Sequence, residues 1–232
     1  MRFSLAVGAL VVVAQTGYAQ VANHVPSQIQ VERLRAGLNA APQKIIPRPL
    51  NSISLELIKH FEGWSSIPYD DSAGYCTIGY GHLLALKRCS QIDLGPYKTG
   101  INKEQGLKIL EKDTELARVA VQKNVSADLS SDEFGALTSF VFNLGEGSLT
   151  GSTLYRLLKI EDRGGAAKQF KRWIRAGNEV APGLVIRRRC EATLFVSQLS
   201  VGRRGQFDRN RCINLGIAPS GETIDILEGE QL

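Results

Sequence analysis

Residues 67–84 constrain the fold of this 232-residue chain more than any other segment, because a helical pattern there gives way to turns and β-formers. Pro68, Asp70, Asp71, Ser72 and Gly74 are turn residues: proline presets φ, glycine tolerates positive φ, and aspartate bonds its own backbone two residues on. Tyr75-Cys76-Thr77-Ile78-Gly79-Tyr80 follows with β-branched and aromatic side chains, which predicts a small hairpin or a three-stranded sheet. On both sides the apolar period is helical. Upstream, Ser52 and Ser54 are good N-caps for a helix carrying Leu55, Leu57, Ile58 and Phe61, and Gly63 is its natural stop. Downstream, residues 103–122 place Leu107, Leu110, Leu116 and Val119 on one face. Ser130-Ser131-Asp132-Glu133 then opens a helix through Phe134, Leu137, Phe140, Val141 and Leu144. Residues 152–158, 165–173 and 184–199 continue the helical pattern, and the Gly/Arg/Asn/Pro-rich stretch from Val201 predicts an irregular tail. A short sheet set among helices is an α+β chain. With 43% hydrophobic and 22% charged residues, the composition supports an ordinary core and excludes disorder or collagen-like repeats throughout.

The only long apolar run is residues 5–14, too short for a membrane-spanning helix, which needs about 20 residues. With Arg2 before it and Gly17-Tyr18-Ala19 after it, the run reads as a secretory signal cut after Ala19; an ordinary buried helix and a retained signal anchor are the competing readings. Pro26, Pro42, Pro47 and Pro49 mark residues 20–50 as an N-terminal arm, with a short helix at 28–39. A catalytic domain over 51–200 and a tail over 201–232 follow. Cys76, Cys89, Cys190 and Cys212 are an even number in an exported chain with no C-x-x-C spacing, so disulfides are expected. Of the three pairings, the sequence-local one, Cys76–Cys89 with Cys190–Cys212, is preferred, each bridge worth roughly 3 kcal/mol in the chain-entropy picture. Three histidines and no ligand cluster predict neither metal nor cofactor. The net charge of +5 is concentrated between Arg156 and Arg211, where 14 Lys/Arg face 5 Asp/Glu. A basic half suits nucleic acid, anionic lipid or an acidic wall polymer, and export favours the wall.

Glu62 ends the first predicted helix, Asp70 and Asp71 open the hairpin, and Thr77 follows on the next strand. Glycoside hydrolysis needs one carboxyl kept protonated and another kept ionised, with the sugar between them. A helix C-terminus is negative, which disfavours the charged form of Glu62, and Phe61 and Trp64 are placed to desolvate it further. Asp71, in a polar turn, stays ionised and orients a water together with the Thr77 hydroxyl. On these features alone a surface helix end and an ordinary turn remain the competing reading.

The full string Glu62-Gly63 … Tyr69-Asp70-Asp71-Ser72-Ala73-Gly74-Tyr75-Cys76-Thr77-Ile78-Gly79-Tyr80-Gly81-His82 resembles the catalytic segment of the phage T4-type lysozymes, glycoside hydrolase family 24. Their pattern is Glu, eight residues, Asp, five residues, Thr, then Ile-Gly-x-Gly-His, and it selects Asp71 over Asp70. Phe140-Val141-Phe142-Asn143-Leu144-Gly145, Ser152-Thr153-Leu154 and Pro182-Gly183-Leu184-Val185-Ile186-Arg187 resemble later helices of phage endolysins, so the likeness covers about residues 52–200. It implies a lysozyme-like fold: a small antiparallel β-hairpin lobe and a larger, mainly α-helical lobe, with the cleft between. It also implies Glu62 as general acid, Asp71 and Thr77 as holders of the attacking water, Leu83, Phe142 and Thr153 as cleft residues, and Arg187 reaching Glu62. Core packing is the competing reading for Leu83 and Phe142. His82, after Gly79-x-Gly81, fits a structural histidine outside the cleft.

The expected function is therefore a secreted, monomeric muramidase whose partner is bacterial peptidoglycan, inverting at the β-1,4 bond between N-acetylmuramic acid and N-acetylglucosamine. A lytic transglycosylase needs the glutamate but not the Asp71/Thr77 pair. A non-catalytic cationic wall-binding protein needs neither.

Overall fold

The computed structural model describes residues 45–231 apart from 126–127, 178, 201, 203–206, 215 and 217. The signal-peptide reading of residues 1–19 and the arm as far as residue 44, with its helix at 28–39, lie outside the described residues. The chain divides into Met1–Lys44 and Ile45–Leu232, and the described residues belong to the second unit.

Helix α1, Ser52–Glu62, starts on Asn51, whose extended backbone lets its side chain accept from the Ser54 amide. Ser52 and Ser54 are thus inside the helix rather than its cap. Ser54 is instead wholly buried where Gly135 leaves room, since a Cβ on Gly135 would stand 1.7 Å from the Ser54 hydroxyl. Gly63, with φ of 73°, ends α1 and turns the chain into the sheet.

Strands β1 (Ser65–Asp70), β2 (Cys76–Gly79) and β3 (His82–Ala85) form an antiparallel meander in that order. Tyr69 pairs with Thr77 and Thr77 with Leu83. Beyond it, the expected single helix over 103–122 is two, α2 (Lys103–Asp113) and α3 (Glu115–Asn124), broken at Thr114. The break is satisfied by side chains: the Thr114 hydroxyl and Arg118 Nη2 both donate to the Glu111 carbonyl, at 2.9 and 2.7 Å. The helical period restarts there, so Ala117, Ala120 and Val121 are buried and Leu116 is 84% exposed, off the face on which the unbroken period set it.

Helix α4, Ser131–Leu144, opens with the expected capping box of Ser130 and Glu133 and runs through the core. Phe140 on α4 meets Phe170 and Trp173 edge to face, at 5.6 and 5.2 Å between centroids. Around α4 stand α5 (Glu146–Thr150), α6 (Thr153–Lys159), α7 (Arg163–Gln169) with a 3-10 turn at Phe170–Arg172, and α8 (Pro182–Phe195). The sequence pattern missed α5 and a two-residue ladder of β4 (Arg175–Ala176) with β5 (Glu179–Val180). The disulfides are Cys76–Cys89, tying β2 to the following 3-10 turn, and Cys190–Cys212, tying the tail to α8. The tail returns to the ladder, where Ile224 donates to the Arg172 carbonyl and Ile226 to that of Arg175.

Candidate active site

Glu62 is the last residue of α1, so its side chain leaves the helix where the chain turns into the sheet. Its Oε2 comes within 3.7 Å of the place a Cβ on Gly81 would take, at the β2–β3 turn. Oε1 accepts from Arg187 Nη1 at 2.8 Å. The group facing Glu62 is thus a guanidinium rather than the apolar wall its neighbours suggested: Phe61 lies 5.6 Å from the Arg187 guanidinium, and Trp64 packs on Tyr80. Arg187 is buried and held from behind. Its Nε donates to Glu191 Oε1 at 3.2 Å, and its Nη2 to the Ser139 carbonyl and hydroxyl. The Ser139 hydroxyl donates to Glu191 Oε1 at 2.7 Å. Of the three consecutive arginines only Arg187 reaches Glu62; Arg188 donates to Asn143 and faces Glu191 Oε2 at 3.2 Å, and Arg189 donates to the Ile213 carbonyl. Complete burial pulls the Arg188 pKa down to about 10 against the opposing pull of Glu191. Two arginines are balanced by Glu62 and Glu191.

Asp71 closes the β1–β2 turn. Its Oδ1 accepts from the amides of Ala73 and Tyr75, at 2.9 and 2.8 Å, which fixes the carboxylate on the rim of the turn. Oδ2 makes no hydrogen bond among the described residues. Asp70 has a different task, accepting from the Cys89 amide at 2.7 Å and so holding the disulfide turn. Thr77 sits between the two ends of β2, 4% exposed, its hydroxyl donating to the Tyr75 carbonyl at 3.2 Å.

Leu83, opposite Thr77 on β3, is 46% exposed. Phe142 is half-buried and lines an open groove of about 310 Å³ with Asp113, Leu116, Gly145 and Glu146. Asp113 Oδ2 is 2.9 Å from Nδ1 of His82, the residue before Leu83, so this pair ties β3 to α2 beside the groove. Thr153 is already engaged: its amide and hydroxyl donate to Glu230 at 2.7 and 2.6 Å. Arg172 Nη1 completes the contact. Burial works to raise the Glu230 pKa, but the Thr153 bonds and Arg172 outweigh it and hold the carboxyl below its ordinary value. Sequence reasoning missed Ser139, Glu191 and Glu230. The i,i+4 and i,i+3 spacings of Arg187 and Arg188 to Glu191 were a usable signal for one of them. Among the described residues no group of three His, Cys, Asp or Glu is placed to hold a metal ion.

A small antiparallel sheet set against a mainly helical lobe, with one carboxylate at a helix end and another at a hairpin turn, defines a lysozyme-type protein. Residues 59–191, more than half of the chain, match the family model described as phage lysozyme, and the chain belongs to that family. It is 32% identical over 179 residues to an endolysin of Bacillus phage B103, covering 75% of this chain and 65% of the relative, so it spans just under two thirds of that protein's length. It is 31% identical over 151 residues to the endolysin of Salmonella phage P22, covering 64% of this chain and 98% of the relative. Among solved structures, the muramidase domain of SpmX from Asticaccaulis excentricus superposes with a TM-score of 0.55 at 27% identity, over 64% of this chain and 98% of that one.

Proposed function

We propose that this protein is an exported muramidase that hydrolyses the β-1,4 bond between N-acetylmuramic acid and N-acetylglucosamine of bacterial peptidoglycan, outside the cell or in a periplasm. The observation that carries the reading is the placement of Glu62 and Asp71 at opposite ends of β2, with Thr77 between them. Glu62, steadied by Arg187, is the group that gives its proton to the glycosidic oxygen. Asp71, with Oδ1 fixed by two amides, and Thr77 hold the water that attacks the anomeric carbon from the far side. A four-residue strand is about 13 Å long at about 3.3 Å per residue. Carboxylates based at the two ends of such a strand suit a separation of about 6.5–9.5 Å, which leaves room for a water and inverts the anomer, better than the roughly 5–5.5 Å of a covalent route. Leu83 and Phe142 contribute apolar surface to the cleft.

The test is digestion of purified peptidoglycan with analysis of the new ends. Reducing N-acetylmuramic acid, released as the α-anomer in proton NMR spectra taken before mutarotation, is expected. Anhydro-muramic ends would make the protein a transglycosylase, no new ends would make it a wall-binding protein, and an initial β-anomer would remove the water-holding role of Asp71.

A further inference from the structure

We propose that Tyr69 is a substrate-positioning residue of this same site, its ring stacking on a sugar of the glycan chain beside Thr77. The inference rests on the proposed glycan-cleaving function and extends it to a side chain for which neither the catalytic string nor the family likeness supplied a role.

The register carries the argument. Tyr69 is paired with Thr77, and Thr77 with Leu83. Directly paired residues of an antiparallel sheet put their side chains on the same face, with Cβ atoms about 4.5–5.5 Å apart. One row across the sheet therefore reads Tyr69, Thr77, Leu83. Within it Thr77 is 4% exposed, whereas Tyr69 and Leu83 are 38% and 46% exposed. The hydroxyl lies at the bottom of a shallow trough with an aromatic wall on one side and an aliphatic wall on the other.

Tyr69 is not spent on holding the lobe together. The sheet's interior is supplied by Cys76 and Ile78, both fully buried. Of the other rings in this region Trp64 packs with Tyr80 and His82 with Tyr97, while Tyr75, also 38% exposed, lies outside the row that Tyr69 shares with Thr77 and Leu83. Among the described residues Tyr69 makes no ring contact and its hydroxyl no hydrogen bond. An exposed, unpartnered aromatic beside a buried hydroxyl is well suited to a ligand with an apolar face and polar edges. A pyranose has that form: its axial C–H groups make one face apolar and its hydroxyl and acetamido groups lie on the rim. A tyrosine supplies a flat, rigid surface for the face and a phenol for the rim, and Asp71 follows two residues later along the chain. A sugar held there is brought over the Thr77 position, where the water is to be activated.

The experiment compares Tyr69→Thr, which keeps a strand-forming residue but removes the ring, and Tyr69→Ala with Tyr69→Phe and Tyr69→Trp, which keep a ring. Soluble glycan chains prepared from peptidoglycan are the substrate. The ring-less variants are expected to raise KM about tenfold, equivalent to about 1.4 kcal/mol, with kcat changed far less. Tyr69→Phe and Tyr69→Trp are expected to restore KM to within about threefold of the parent. Equilibrium dialysis of the same chains against Glu62→Gln and Glu62→Gln/Tyr69→Thr reads the contact without turnover, and a Kd about tenfold weaker in the double variant is expected. If the parent enzyme releases no new ends, the proposed function fails, and the dialysis still decides the role of Tyr69. KM and Kd within twofold of the parent in either ring-less variant would overturn the proposal, as would ring-bearing variants as weak as Tyr69→Thr.

Discussion

Replacing Arg187 with methionine tests whether the cluster behind Glu62 holds the two lobes in register. Methionine keeps an apolar stem against Phe61 while removing the cation. The lost contacts are one hydrogen-bonded ion pair to Glu62 at 2.8 Å, another to Glu191 at 3.2 Å, and donation to Ser139. Breaking one side of a buried ion pair costs about 3–5 kcal/mol when the other charge is left stranded. Here neither glutamate is fully stranded: Glu191 keeps Arg188 and the Ser139 hydroxyl, and Glu62, 22% exposed, gains water. The cost should therefore sit near the lower figure, about 3 kcal/mol, which for a protein of this size is a fall in Tm of about 6–12 °C. The same change made in a Glu62→Gln background should cost about 1 kcal/mol less, because the charge on the partner has already gone. Calorimetric midpoints of the two singles and the double read both quantities. A fall below about 2 °C, or an equal fall in both backgrounds, would refute the claim that Arg187 stabilises the fold through Glu62.

Glu62→Gln should lower the hydrolysis rate by about 10²–10⁴-fold or more, because the amide cannot give a proton, while costing only about 1 kcal/mol of stability, since its oxygen can still accept from Arg187. A folded variant within threefold of the parent rate would remove Glu62 as the acid. Glu230→Gln tests the tail contact: a carboxyl held below its ordinary pKa stabilises the fold above about pH 4.5 and loses that contribution as pH falls through the lowered value. The Tm gap between parent and variant should thus be about 2–8 °C at neutral pH and narrow as the pH is taken below the ordinary carboxyl range, and a gap that stays constant would show that Arg172 and Thr153 do not favour the charged form.

The parts legible in the sequence are those whose signal is local. The Ser130/Glu133 capping box spans four residues, the stop at Gly63 needs one, and the register choosing Asp71 over Asp70 is carried within 16 consecutive residues, 62–77. The break at Thr114 was not legible, because it depends on Arg118 donating both to the end of α2 and to the carbonyls of Pro47 and Arg48, some 70 residues earlier. Helical periodicity counts side chains along a continuous helix, so it carried the apolar face straight through the break and set Leu116 on the buried side. The cap at Asn51 was missed for a related reason. Serines are good caps in isolation, but Ser54 is needed inside, against Gly135 of a helix about 80 residues away.

The candidate site divides along the same line. Its reactive groups all come from one short segment, so their spacing is a property of the chain. The groups that steady them come from elsewhere: Arg187 is 125 positions from Glu62, and Ser139 is 48 from Arg187. Periodicity could not choose among Arg187, Arg188 and Arg189, because each adjacent residue turns about 100° round a helix; the family resemblance named Arg187, and that is the one that meets Glu62. Only the position of α8 against α1 and α4 decides which of the three meets Glu62. Thr153 shows the converse. Its place at the start of α6 is local, but its present partner, Glu230, is 77 residues away in the tail. A ligand that uses both polar groups of Thr153 must therefore displace a carboxylate already held by an amide, a hydroxyl and a guanidinium, so any role for Thr153 in binding depends on the tail as well as on α6.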